Sequence, residues 1–163
     1  MKLKISYLLA ASVALTGANY LANPPGLSAA PVVTLKATDG RLFDLAASGE
    51  TTRLVTFFSP DCPLSKRDWP TLSELNNKHS EDTLEIVSVT MPYDQPAATA
   101  PLIESGTINY PVVTDTDGSI GNAFPNVRFT PTTFLIDKKG EIVWRHTGRI
   151  NPQELHAELA LIE

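Results

Sequence analysis

The chain has one cysteine in 163 residues, which excludes both an internal disulfide and a Cys-x-x-Cys pair cycling between dithiol and disulfide. It has no run of basic residues and a formal net charge of -5, so it lacks the electrostatic footprint that draws a protein to nucleic acid or to an anionic membrane. No apolar stretch reaches the roughly 20 residues that a spanning helix needs. No internal repeat or low-complexity segment interrupts the order. With 42% apolar and 19% charged residues, the length suits one compact domain with a single core.

The sequence begins with a segment of different composition. Lys2 and Lys4 precede the apolar run "ISYLLAASVAL", and "TGANYLANPPGLSAA" follows with helix breakers and small residues. This is the layout of a secretory signal: a charged start, an apolar core and a small-residue exit. Residues 1–30 are expected to direct export, with cleavage after Ala18 or Ala29, or else to stay as an N-terminal anchor. Residues 31–163 form the domain. Exported domains normally pair their cysteines, yet Cys62 has no partner in the chain. It is therefore a free thiol, half of a mixed or intermolecular disulfide, or a buried inert side chain.

Hydrophobic patterning supplies the elements. "PVVTLKATDGRLFDLAA" reads as two short strands around the turn dipeptide Asp39-Gly40. "TRLVTFF" is a near-continuous apolar run, as in a strand covered on both faces, and it ends at Ser59-Pro60. From Pro63 the apolar residues Leu64, Trp69, Leu72 and Leu75 recur at helical spacing with Lys66, Arg67, Glu74 and Lys78 between them, an amphipathic helix. "LEIVSVTM" is a second buried strand, "QPAATAPLIESG" a helix stopped at Gly106, "YPVVTD" a short strand and "DGSIGNAF" a turn or short helix. "RFTPTTFLIDKKGEIVWRHTG" reads as a hairpin turning at Lys138, Lys139 and Gly140. "NPQELHAELALI" closes the chain as a helix with Asn151 as N-cap and Pro152 in the first position. The order predicts an α/β domain of three layers around a mixed sheet.

The chemistry centres on "FFSPDCPLSKRDWP", residues 57–70. A thiol placed where a buried strand ends and a helix begins faces free backbone N–H groups and the positive end of the helix dipole, which favour the thiolate. Lys66 and Arg67 add positive charge one turn on; Asp61 and Asp68 oppose it. The plain alternative is a small core residue. Bracketing by Pro60 and Pro63 at such a junction favours a reactive thiol.

These residues resemble the active-site strand and helix of thioredoxin-like proteins, most closely the exported TlpA/ResA-type disulfide reductases of the redoxin group. In that family an aromatic strand precedes Cys-x-x-Cys and a proline, here Pro70, closes the first helical segment. A second stretch, "FTPTTFLIDKKGEIVWRHTG", is similar to the family's cis-proline segment. The resemblance spans about residues 31 to 163 and implies a thioredoxin-like three-layer α/β fold, a central mixed sheet flanked by helices. It implies that Pro131 is the cis-proline beside the reactive cysteine, and that Thr130, before it, pairs through its backbone with a bound peptide. Pro63 belongs to the same substrate-facing surface. Asp68 occupies the helix position of an acidic residue that handles the protons of the cysteines; its bland alternative is a solvated carboxylate.

Ser65 departs from the family by standing where the second cysteine belongs. A serine hydroxyl cannot attack a mixed disulfide, but one turn from Cys62 it can donate a hydrogen bond to the thiolate. The chemistry left is a mixed disulfide formed through Cys62 and resolved by an outside thiol, as in monothiol glutaredoxin-type sites. The implied partners are a protein or small-molecule thiol or disulfide and an external reductant such as a membrane thiol–disulfide transporter, with no nucleic acid and no cofactor. The implied location is the periplasm or another exported compartment.

Two other readings keep the fold. A one-cysteine peroxiredoxin-like peroxidase needs only Cys62, oxidised to sulfenic acid; Ser59 supplies a hydroxyl three residues before it and Arg128 or Arg149 a cation, but Val55 replaces the expected proline. A non-catalytic binding or copper-handling module would use Cys62 with His79, His146 or His156. His79 and His156 read more simply as helix surface and His146 as a strand residue, so no metal site is predicted. Trp69 and Trp144 read as packing residues.

Overall fold

The computed structural model describes residues 28–47, 49, 51–79 and 82–162. Residues 1–27, which carry most of the predicted export segment, lie outside the described residues.

The architecture is a six-stranded mixed sheet with helices on its faces. Strands β4 (Thr52–Phe58) and β5 (Leu84–Thr90) form the parallel centre, and β6 (Val112–Val113) extends it in parallel. On the other side β7 (Thr132–Ile136) runs antiparallel to β4, and β8 (Glu141–Thr147) antiparallel to β7. β1 (Ser28–Ala29) pairs with β8 at the edge, giving the order β1-β8-β7-β4-β5-β6. β2 (Thr34–Lys36) and β3 (Leu42–Asp44) make the expected hairpin as a separate two-stranded sheet.

Strand alternation divides the core into two layers. Val55 and Phe57 point to one face, with Val87, Val89, Phe134, Ile136 and the hairpin residues Leu35 and Phe43. Leu54 and Phe58 point to the other, where Trp69, Leu72 and Leu75 of helix α1 (Pro63–Lys78) and Leu155 and Leu159 of helix α4 (Pro152–Ala160) cover them. Burial of both faces is why the central strands are near-continuous apolar runs. As the cap reading requires, Asn151 accepts from the Gln153 and Glu154 N–H groups.

Two elements differ from the sequence expectation. The sheet begins at Ser28, inside the segment assigned to residues 1–30, with Ala30 buried and its N–H on the Gly140 carbonyl. "QPAATAPLIESG" is a 3-10 turn at Pro96–Ala98 followed by the short helix α2 (Ala100–Glu104). Pro101, which has no N–H to give, suits the start of a helix better than its interior. Helix α1 runs from Pro63 to Lys78, as the apolar spacing through Leu75 predicts, and carries Pro70 inside it without closing there. Pro70 and Lys66 both lie on the exposed side, so the Lys66 carbonyl left without its helical donor faces water while the stripe of Trp69, Leu72 and Leu75 holds the axis. The "DGSIGNAF" stretch contains helix α3 (Ser119–Ala123).

Candidate active site

β4 delivers the chain to Cys62 through a short turn, in which the Cys62 N–H donates to the Ser59 carbonyl at 3.1 Å. Cys62 is the N-cap of α1 with extended backbone, and Pro63 takes the first helical position. No side chain caps the helix, so its first N–H groups are left facing the sulfur. Cys62 is a free, partly exposed thiol.

The second strand of the site arrives from 68 positions away. The Thr130–Pro131 peptide is cis, and the Cys62 Sγ donates to the Thr130 carbonyl oxygen at 3.2 Å. Pro131 is buried and Thr130 is half-buried at the rim.

Ser65 is 1% exposed, one helical turn behind the thiol, and its hydroxyl has no hydrogen-bond partner while Cys62 is protonated. A hydroxyl rotor without a partner is free to turn toward a thiolate. Burial alone pushes the Cys62 thiol up; the backbone and hydroxyl of Ser65, the Thr130 hydroxyl and the Leu64 N–H outweigh it and hold the thiol below its ordinary value. Lys66 and Arg67 are not among these causes. Both side chains are exposed, and water screens them where the amides are not screened.

Asp68 is no surface carboxylate. It is 2% exposed, and both of its oxygens accept the Ile150 N–H, at 3.1 and 3.2 Å. Burial raises its pKa to about 6, against the Ile150 bond and the positive charges of Arg149 and His146. Its ionisation is thereby moved from the ordinary carboxylate range toward neutrality. Beneath α1 a polar row crosses the sheet in register, Ser88 on β5, Thr56 on β4, Thr133 on β7 and His146 on β8, with the Thr56 and Thr133 hydroxyls 3.2 Å apart. The buried Tyr110 phenol also feels the Asp68 charge.

Residues from the other two readings stand elsewhere. The Ser59 hydroxyl donates to Asp94 at 2.7 Å rather than to Cys62, tying the loop before the thiol to the one after β5. Arg128 and Arg149 are exposed. His79 ends α1 and His156 lies exposed on α4. Among the described residues, no group of three His, Cys, Asp or Glu side chains is placed to hold a metal ion. Trp69 meets Phe58 edge to face, and Trp144 stacks on His146.

Sequence reasoning named His146 only as a strand residue or a metal-ligand alternative, and passed over Ile150. His146 stands beside Thr133, on the face that α1 covers, only because the β7–β8 register shifts at Leu135/Ile136; plain pairing of "TTFLI" with "IVWRHT" would set Arg145 there. The Ile150 amide has no sequence signal. Exposed apolar side chains also surround the thiol by position: Leu64 just after it, Phe129 just before Thr130, and Tyr93, which with Ser59, Asp61 and Asp94 lines a cavity of about 430 Å³.

Fold and site define a thioredoxin-fold protein built around one thiol at a helix N-terminus. The chain belongs to the Redoxin family, whose model matches residues 25–160. It is 29% identical over 136 residues to thiol-disulfide oxidoreductase ResA of Bacillus subtilis, covering 83% of this chain and 75% of that protein. It is 25% identical over 126 residues to sporulation thiol-disulfide oxidoreductase A of the same organism, covering 76% of this chain and 75% of that one. Among solved structures it resembles StoA from Bacillus subtilis, with a TM-score of 0.66 at 20% identity over 82% of this chain and 96% of the other. A thiol:disulfide interchange protein from Chlorobium tepidum TLS gives a TM-score of 0.69 at 20% identity, over 86% and 98% of the two chains.

Proposed function

We propose that this chain is a monothiol member of the ResA-type thiol–disulfide oxidoreductases, working in the cell envelope. The observation that carries the reading is Cys62 at the N-terminus of α1, within 3.2 Å of the Thr130 carbonyl, with Ser65 one turn behind it. The Cys62 thiolate attacks one sulfur of a partner disulfide. A Cys62–partner disulfide forms, the partner's S–S bond breaks, and its other sulfur leaves as a thiolate that takes up a proton. An external thiolate then attacks the partner sulfur of the mixed disulfide, releasing Cys62 as thiolate and leaving the partner joined to the external thiol. Two electrons come from two external thiols when a second one completes the reduction.

Within this scheme Pro63 and the free amides of α1 stabilise the thiolate, Ser65 turns its hydroxyl to it, Asp68 moves protons behind it, and Thr130 with Pro131 receives the backbone of the partner. The charged start and apolar run of residues 1–30 support export. A cut after Ala18 leaves β1 in the mature chain; a cut after Ala29 removes it. Among the described residues no helix is long and apolar enough to cross a membrane.

The test is to trap the mixed disulfide. The purified protein, incubated with a peptide disulfide, should gain the mass of one peptide thiol at Cys62 and lose it to added low-molecular-weight thiol. A Cys62 that forms no adduct in the folded protein rejects the reading. Stoichiometric sulfenic acid with peroxide, and no peptide adduct, would move the assignment to a peroxidase.

A further inference from the structure

The turn from β8 into α4 touches the site at three points. The Gly148 N–H donates to the Pro131 carbonyl at 2.8 Å. The Ile150 N–H reaches the Asp68 carboxylate at 3.1 and 3.2 Å. The Arg149 carbonyl, the opposite end of the peptide group that carries that N–H, lies 3.0 Å from His146 Nε2. A nitrogen facing a carbonyl oxygen donates, so His146 carries a proton on Nε2, as neutral tautomer or imidazolium.

A peptide group is rigid and planar, with its C=O and N–H pointing in opposite directions. Whatever fixes the oxygen also aims the hydrogen. The imidazole is itself held: it stacks on Trp144 with centroids 5.5 Å apart and planes 14° from parallel, and its Nδ1 faces Glu154 Oε1 at 3.9 Å. Glu154 also accepts from Trp144 Nε1 at 3.3 Å.

We propose that His146 is a positioning residue for Asp68, holding the Arg149–Ile150 peptide group so that its N–H stays aimed at the carboxylate. This rests on the proposed role of Asp68 in proton handling. The arrangement links a half-exposed imidazole to a carboxylate that solvent does not reach. The hydrogen bond from Nε2 to the Arg149 carbonyl polarises the peptide and strengthens the Ile150 bond to the ionised Asp68. The charged and titratable groups facing Asp68 are Arg149 from the turn, His146 from β8 and the Tyr110 phenol from the segment before β6. Facing His146 are Glu154 from α4 and Asp68 from α1.

The experiment compares His146→Gln, which keeps an N–H donor without charge, with His146→Phe, which keeps a ring against Trp144 and loses the donor. Asp68 is titrated by carboxyl carbon NMR, assigned with Asp68→Asn, in the full chain. Loss of one charge-assisted hydrogen bond corresponds to about a tenfold rise in proton affinity. His146→Phe should show it as an upward shift of the Asp68 midpoint beyond that of His146→Gln, which loses only the imidazolium charge. An unchanged midpoint in His146→Phe overturns the proposal. So does an equal shift in both variants, which assigns the effect to the imidazolium charge acting through space. Should His146→Phe fail to fold, His146→Leu, which also loses the donor, takes its place in the same titration with the same two outcomes. Because these readouts do not use Cys62, an inert thiol would sink the exchange reading and leave this inference standing.

Discussion

The Cys62 thiol donates a hydrogen bond to the Thr130 carbonyl oxygen at 3.2 Å. That bond favours the neutral thiol, since a thiolate has no proton to give. The Ser65 and Leu64 amides and the Ser65 and Thr130 hydroxyls act in the opposite sense, and together they prevail. Ionisation therefore frees the Thr130 carbonyl at the moment the nucleophile forms, which under the proposed function leaves it to accept from the backbone of an incoming partner.

Ser65→Ala tests the contribution of the hydroxyl. Removing a hydrogen bond to a charged group loses at least about 1.4 kcal/mol, or about tenfold in thiolate fraction below the midpoint. The more basic thiolate is also more nucleophilic, so the net slowing of alkylation is about threefold. Iodoacetamide rates against pH should show the Cys62 midpoint moving up in Ser65→Ala. An unmoved midpoint would leave the helix amides as the whole cause.

Ser65→Cys places a second sulfur one helical turn from the first, at a position already buried. The variant should form an internal disulfide on oxidation, losing both thiols to a colorimetric assay. It should also reduce insulin with turnover that the wild type lacks. A variant that oxidises and does not turn over would show that the scaffold has lost more than its resolving thiol.

The site was legible where chemistry is local. Cys62, Pro63 and Ser65 lie on one strand-to-helix junction, and Thr130-Pro131 opens a strand run, so short-range patterns and a family resemblance were enough to single them out. Asp68 was seen as a helix position, but its burial was not, because its partner is a backbone amide 82 positions away. Amides look alike in every sequence. The continuation of α1 past Pro70 was legible in the spacing of Trp69, Leu72 and Leu75, although propensity counts the missing N–H against it. β1 is two residues long and takes its order from its pairing with β8.

Gly140→Ala probes the β7–β8 hairpin that carries His146. Gly140 has φ +78°, and an added Cβ would lie 3.0 Å from the Ala46 backbone oxygen. The positive φ alone costs about 1–2 kcal/mol for a residue with a side chain. Gly106→Ala, with φ +71° and open space around the added carbon, isolates that part. Urea unfolding should place Gly140→Ala below Gly106→Ala in stability by about 1 kcal/mol or more, the scale of a steric misfit in packed structure. Equal losses would mean that Ala46 gives way freely.

Asp68 makes the protein's stability depend on pH in the reverse of the usual carboxylate sense. Its pKa is about 6 in the folded chain against an ordinary 3.8, so between those values the folded state holds a proton that the unfolded state has released. Stability then falls as pH rises. The favourable contribution is fully present below pH 3.8 and is lost as pH passes through about 6. A shift of about two units is worth about 3 kcal/mol. Asp68→Asn keeps the shape and an oxygen for the Ile150 N–H while removing the ionisation. Denaturant unfolding at a series of pH values should find the variant more stable than wild type by up to about 3 kcal/mol at pH 8, with the gap closing toward pH 4. Titrating groups that do not interact with Asp68 drop out of the difference. Parallel curves for the two would mean that Asp68 ionises at its ordinary pH, and with that the case for it as the proton-handling group behind Cys62 would be lost.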